Sequence, residues 1–451
     1  MNKALCILIV LALLMLMSAL TFGSIAGLEY AFPGMLRRYI GFETLRPLHV
    51  SSALFWILIC ASACVIWSLN ELRPKRLSKE LTIVQILLWV VALCGVFYSY
   101  FSGRFGGREY WEFDPVWAGP IALAWLFMLL NFVKAVRKWR HWPVYVWMWM
   151  TGMVFFLFIF AENQLWQLPY FRNKLISDMT IQWKVNGSIV GAWNQLLYGT
   201  AFYLMDRMDG KGKVGSSNMA FIMYFLGLFN LMFNWGHHVY TLPTAPYVRY
   251  IGYVVSMTEW VFFVRIIYKW KSSWIEAREH YNHFSYRFLL ASNLWVFLNM
   301  GQAILMSIPA INLYTHGTHI TVAHAMGTTI GINSMILLAA CFEFLPNAYK
   351  SEIEKKLWPR LIFYIVQISL LVFWISLNLA GFVKGLWQMS ENQSSFRNMM
   401  QHLQMYFDVF ATAGIVLFIV LSVIAVWLIK LWLKFYKNQN EIKNSIERKF
   451  V

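Results

Sequence analysis

The sequence predicts an all-α polytopic membrane protein of about twelve transmembrane helices, and three observations lead there. Of the 451 residues, 59% are hydrophobic and only 13% charged, which is more apolar surface than a soluble domain of that length buries. A spanning helix needs about 20 mostly apolar residues, and such segments begin near residues 5, 47, 82, 117, 143, 186, 219, 248, 285, 321, 360 and 404. The net charge of +17 is gathered in short links: Arg73, Lys75, Arg76 and Lys79, then Lys134, Arg137, Lys138 and Arg140, then Lys350, Lys355, Lys356 and Arg360. All of these fall on one side of a twelve-span topology, the inside by the positive-inside rule; Arg37 and Arg38 are the exception.

Each part of the chain then has its place. Clustered basic links between apolar runs exclude a nucleic-acid partner in favour of the lipid bilayer. The first apolar stretch outlasts a signal-peptide core and lacks a small-residue cleavage site, so it reads as a first membrane helix. Cys60, Cys64, Cys94 and Cys341 lie within apolar runs and Cys6 near the N-terminus, with no CxxCH and no paired CxxC, which argues against a disulfide scaffold and covalently attached haem c. No repeat or linker divides the chain, so residues 1–451 form a single integral-membrane domain with a short cytoplasmic tail from about 435 to 451. An even number of spans puts both termini on one side, and the basic links make that side the cytoplasm.

Ionisable residues inside spans are costly and therefore functional by default, and here they agree in depth. His49 opens the second span and His324 the tenth, both running inward, while His237 and His238 close the outward-running seventh. All four lie in the outer part of the membrane, as a shared metal or haem layer requires, and Glu259, about two to three turns into the eighth span from the outside, lies slightly deeper. A lone membrane histidine is more often a helix–helix hydrogen-bond partner. Two adjacent imidazoles must both find partners away from water, and one metal serves both.

Five stretches, Leu45–His49, Gly107–Glu112, Asn234–His238, Ser256–Glu259 and Tyr314–Met326, together resemble the haem-copper oxidase superfamily subunit I, above all the nitric oxide reductase catalytic subunit and the cbb3-type oxidase subunit I. Leu45-Arg46-Pro47-Leu48-His49 resembles the second-helix motif whose His holds the low-spin haem. Tyr314-Thr315-His316-Gly317-Thr318-His319, continuing through His324-Ala325-Met326, resembles the loop and tenth helix, which implies His324 on the high-spin haem and His316 and His319 near haem propionates. Asn234-Trp235-Gly236-His237-His238 resembles the seventh-helix pair on the non-haem metal. Gly107-Arg108-Glu109-Tyr110-Trp111-Glu112 resembles the reductase segment whose carboxylates, here Glu109 and Glu112, help bind calcium. Ser256-Met257-Thr258-Glu259 resembles the eighth-helix site of a glutamate near the active metal.

Two positions depart from the family pattern. Where the sixth helix has a third metal-binding His, this chain has Asn194, with Tyr198 four residues on and on the same helix face. An amide oxygen is a weaker, harder ligand than imidazole and disfavours copper relative to iron. Where the low-spin haem takes its second His, this chain has Met326, a competent axial ligand that raises haem potential unless it only fills core space. Residues two apart on a helix point about 200° apart, so His324 and Met326 address different haems.

The resemblance implies a respiratory oxidoreductase of the bacterial inner membrane with two b-type haems, a non-haem iron or copper, and calcium. Electrons would come from a membrane-anchored cytochrome c or from quinol, nitric oxide would be the gaseous substrate as in denitrification, Glu259 would handle protons, and Tyr198 would give a proton or an electron. Three other readings stay open: a cbb3-like oxygen reductase, a nitric oxide dismutase-like enzyme, and a non-catalytic haem electron-transfer or gas-sensing subunit. His141, His280, His283 and His402 carry no assigned role.

Overall fold

The computed structural model describes residues 1–209, 215–258, 260–261, 283–391 and 393–447. Among them twelve longer helices follow one another: α1 Asn2–Ala31, α2 Phe42–Leu72, α3 Lys79–Phe101, α4 Ala118–Val136, α5 Val144–Asn163, α6 Leu175–Asp209, α7 Asn218–Phe233, α8 over 246–258, α9 Phe284–Met306, α10 His319–Glu343, α11 Trp358–Gln388 and α12 Phe396–Glu447. Ten of the described helices are long and apolar enough to cross a membrane. The sixth and eighth expected spans correspond to α6, which is more polar, and α8. Every expected span thus has a helix, and the largest offset is at α6, expected near 186 and beginning at Leu175. Its extra turns lie beyond the apolar run and are fastened by polar contacts, Arg108 to Asp178 at 2.6 Å and Lys184 to Glu162.

The helices pack chiefly on chain neighbours: α1 on α2, α3 on α4, α5 on α6 and α11 on α12, while α1 also meets α12 and closes the bundle. In a bilayer the lipid-facing surface stays apolar, so Leu87, Phe158, Leu361 and Ile419 are exposed without being a defect. Caps follow from local sequence. Ser78, Ser217 and Thr318 each accept a backbone N–H at the start of α3, α7 and α10, supplying acceptors that the first turn lacks.

Two local features position the site. Between α3 and α4, Phe105–Arg108 (β1) pairs antiparallel with Trp111–Phe113 (β2). Its turn needs Gly107, at φ +68°, because a Cβ there would lie 1.9 Å from the Trp111 carbonyl oxygen. Trp111 and Phe113 are buried, so the hairpin is anchored and Glu109 and Glu112 are fixed. In α10, residues Gly327–Ser334 form a π-helical segment, and such segments concentrate at functional sites; it begins one residue after Met326.

Candidate functional site

One cavity of about 1860 Å³ runs through the bundle, and His49, Asn194, Tyr198, His237, His238, His316, His324, Met326 and Glu109 all border it. It is roughly twice the upper end of an ordinary small-molecule pocket, about 1,000 Å³. The residues come from α2, α6, α10 and the loop before it, the turn after α7 and the β1–β2 turn.

The imidazoles are oriented from behind. His49 Nδ1 donates to the Ala19 carbonyl of α1 at 2.8 Å. A carbonyl can only accept, so Nδ1 carries the proton and Nε2 has a free lone pair, the arrangement of a ligating histidine. Gly23, one turn further on α1, makes room for the ring, since a Cβ there would sit 2.5 Å from His49 Nδ1. His237 Nδ1 likewise donates to Asn234 Oδ1 at 3.0 Å, with Ser256 Oγ 3.2 Å away and itself bonded to Asn234. The His237 and His238 rings lie 4.2 Å apart, and His238 stacks on Trp183 at 6.1 Å and 7°. Trp183 also meets His316, at 5.7 Å, so one indole of α6 ties the paired histidines to the loop before α10.

Other polar atoms at the cavity are left over. His324 Nδ1 and Asn194 Oδ1 are buried without a hydrogen-bond partner, although a buried polar group normally finds one. Among the described residues no three His, Cys, Asp or Glu side chains converge as a metal cluster; the expected non-haem ligand set has two imidazoles and relies on Asn194 for a third atom. His49 Nε2, the Gly23 recess and the orphaned atoms of His324 and Asn194 fit what bound haem and metal require.

At the hairpin, Arg46 pairs with Glu112, and Asn186 donates weakly to Glu109 at 3.4 Å. Burial raises the Glu109 carboxyl above the usual 4.5, with Arg46 opposing and Glu112 adding to the rise. Glu112 is raised by burial as well, against the pull of Arg46. Only Glu109 of the two borders the cavity. His319 stands apart from the cavity lining, edge-on to Tyr30 at 5.8 Å and to Phe407 at 5.0 Å. Glu259 lies outside the described residues.

Gly23, Ala19, Trp183 and Arg46 are site residues that sequence reasoning did not single out. Gly23 had a signal, the small-xxx-small spacing Gly23-Ser24-Ile25-Ala26-Gly27 of closely packed membrane helices. Trp183, one of 23 tryptophans, had none.

Comparison with known proteins agrees with this architecture. Residues 3–417 match the family model described as Cytochrome C and Quinol oxidase polypeptide I. A nitric oxide reductase subunit from Stutzerimonas stutzeri is 24% identical over 408 residues, covering 83% of this chain and 82% of that one. Cytochrome c oxidase subunit 1 of Rhodobacter capsulatus is 21% identical over 386 residues, 80% and 69% of the two chains. The fold is similar to that of a haem-copper terminal oxidase dimer solved by cryo-EM, with a TM-score of 0.72 at 16% identity over 96% of this chain and 84% of that one. With its family model spanning nearly the whole chain, this protein belongs to the haem-copper oxidase subunit I family.

Proposed function

We propose that this chain is a nitric oxide reductase-like catalytic subunit that reduces NO to N2O. The observation that carries the reading is Asn194: its buried, unpartnered carboxamide oxygen borders the same cavity as His237 and His238. Two imidazoles and one oxygen form a harder donor set than three imidazoles and favour iron over copper. His49 and Met326 would hold one haem, His324 the other, and His237, His238 and Asn194 the non-haem metal. When bound, the haems would relay the donor's electrons and the non-haem metal would supply a Lewis acid.

The chain's own residues do the rest. Ala19 and Asn234 fix the tautomers of His49 and His237, leaving each Nε2 free to ligate. Trp183 holds the plane of His238. The apolar cavity walls exclude bulk water while admitting a small uncharged gas. Tyr198, one turn from Asn194, offers a phenol to the site, and Glu259 keeps its proposed role in proton delivery. Glu109 and Glu112 are the proposed calcium ligands. The electron donor is a membrane-anchored cytochrome c or quinol, and the setting a bacterial inner membrane with both termini inside.

The test is parallel assay of NO and oxygen consumption by the purified chain with an artificial electron donor, before and after Asn194→His. NO consumed in preference to oxygen, with the preference reduced and copper uptake increased in the variant, supports the reading. Oxygen consumed and NO ignored by the unaltered chain overturns it in favour of an oxygen reductase.

A further inference from the structure

Four cations surround a second concavity, remote from the haem and metal residues, where the end of α4 meets the link between α2 and α3. Arg76, Lys134, Arg137 and Lys138, with Leu130 and Val133, line a pocket of about 380 Å³. We propose that this pocket is a binding site for one anionic phospholipid, its phosphate held by the four cations and its acyl chains lying along α3 and α4.

Three features distinguish the pocket from scattered basic surface. Its cations are uncommitted: none of the four forms a salt bridge with a described residue. Glu80 acts electrostatically on Lys134 but is itself held by Ser78 Oγ at 2.7 Å. A single cation would complement the C-terminal dipole of α4; four around one concavity exceed that need. The site is also built rather than draped. Buried Asn131 of α4 accepts from the Ser78 N–H at 2.8 Å and donates to the Ser78 carbonyl at 3.0 Å. This pins the link that carries Arg76 against the helix that carries the other three, so the cations converge before any ligand arrives.

The third feature is where the pocket opens. Leu123, Leu126, Leu130 and Val133 of α4 are exposed at spacings of three and four residues, and Ile83 and Leu87 of α3, the helix packed on α4, are exposed as well. The α4 positions form an apolar stripe along its membrane-spanning part, and Leu130 and Val133 at the end of that stripe border the cation pocket. A ligand matching both parts has a negative headgroup at the membrane boundary and hydrocarbon below it. Basic pockets at spanning-helix ends take anionic headgroups in this way, each cation contributing roughly fivefold in affinity.

The experiment is native mass spectrometry of the full chain in detergent, titrated separately with phosphatidylglycerol, phosphatidylethanolamine and inorganic phosphate. Retention of one phosphatidylglycerol at least about fivefold over phosphatidylethanolamine, weakened in Lys134→Gln/Arg137→Gln and in Arg76→Gln alone but kept in Arg140→Gln, is the expected result. All four positions are exposed, and the single Arg76→Gln variant keeps the test open if the double variant fails to fold. Equal retention of the two lipids overturns the proposal. So does equal weakening by Arg140→Gln, which would mean diffuse surface charge, and so does displacement of the lipid by free phosphate, which would mean a soluble-anion site.

Discussion

The two polar regions of this bundle follow opposite rules. At the cavity, His324 Nδ1 and Asn194 Oδ1 are buried with no partner. At the other ends of the same helices the charges answer one another. Glu343 of α10 accepts from Arg207 at 3.0 Å, Lys350 at 2.8 Å and Ser285 at 2.7 Å, while Glu71 of α2 accepts from Arg207 at 3.0 Å, Tyr203 at 2.5 Å and Trp67 at 3.1 Å. This knot joins α2, α6, α9 and α10, and the first, second and fourth of these also carry His49, Asn194 and His324. A closed network rigidifies a fold; a row of open donors and acceptors awaits a ligand. The contrast separates residues that hold the helices from residues that hold what the helices bind.

The largest effect that would break this comparison comes from the open region. His324→Ala should lower turnover by at least about a hundredfold, the upper range for disturbing a metal site's support, with loss of one haem by pyridine haemochrome assay and an unchanged helical circular dichroism spectrum. Unchanged haem content would place His324 with the structural residues. Next comes the closed region: Glu343→Gln leaves Lys350, 22% exposed, without its carboxylate and Arg207, 26% exposed, with Glu71 as its remaining acid. The expected loss is near the lower end of the range for breaking a buried pair, about 3 kcal/mol, seen as a lower melting temperature with haem spectra intact. A shifted haem spectrum without loss of stability would mean that the two regions are not separable.

A smaller effect tests the seam between them. Gly23→Ala puts a methyl against His49, costs about 1–3 kcal/mol by overpacking and should change the low-spin haem band, whereas Gly119→Ala, where a Cβ meets nothing within 4 Å, should do neither. The smallest concerns the hairpin. A carboxyl whose pKa is raised stays protonated to higher pH, so calcium affinity should climb as pH rises above 4.5, and Glu109→Gln should flatten that climb in a calcium-electrode titration. An unaltered slope would remove Glu109 from the site.

Much of this was legible in the sequence for definite reasons. Apolar run length locates helices because the bilayer forces it, and the shared depth of His49, His237, His238 and His324 anticipates that they border one cavity. Harder to read was whatever depends on contact between distant segments. The recess at Gly23 has meaning only once His49 packs on α1, and the stack of His238 on Trp183 joins residues 55 positions apart in the chain. The turn between β1 and β2 requires positive φ at Gly107 and at Tyr110; glycine hints at this, tyrosine does not. The π-helical segment after Met326 is likewise set by packing rather than by the ordinary residues Gly327, Thr328 and Thr329.

The most direct test of the central claim is metal and haem analysis of the purified chain beside its His237→Ala variant. Two haems and one non-haem iron per chain, with that iron alone lost in the variant, is the predicted result. Haem without a second metal, and no turnover of NO or oxygen, would contradict the account and leave an electron-transfer or gas-sensing protein.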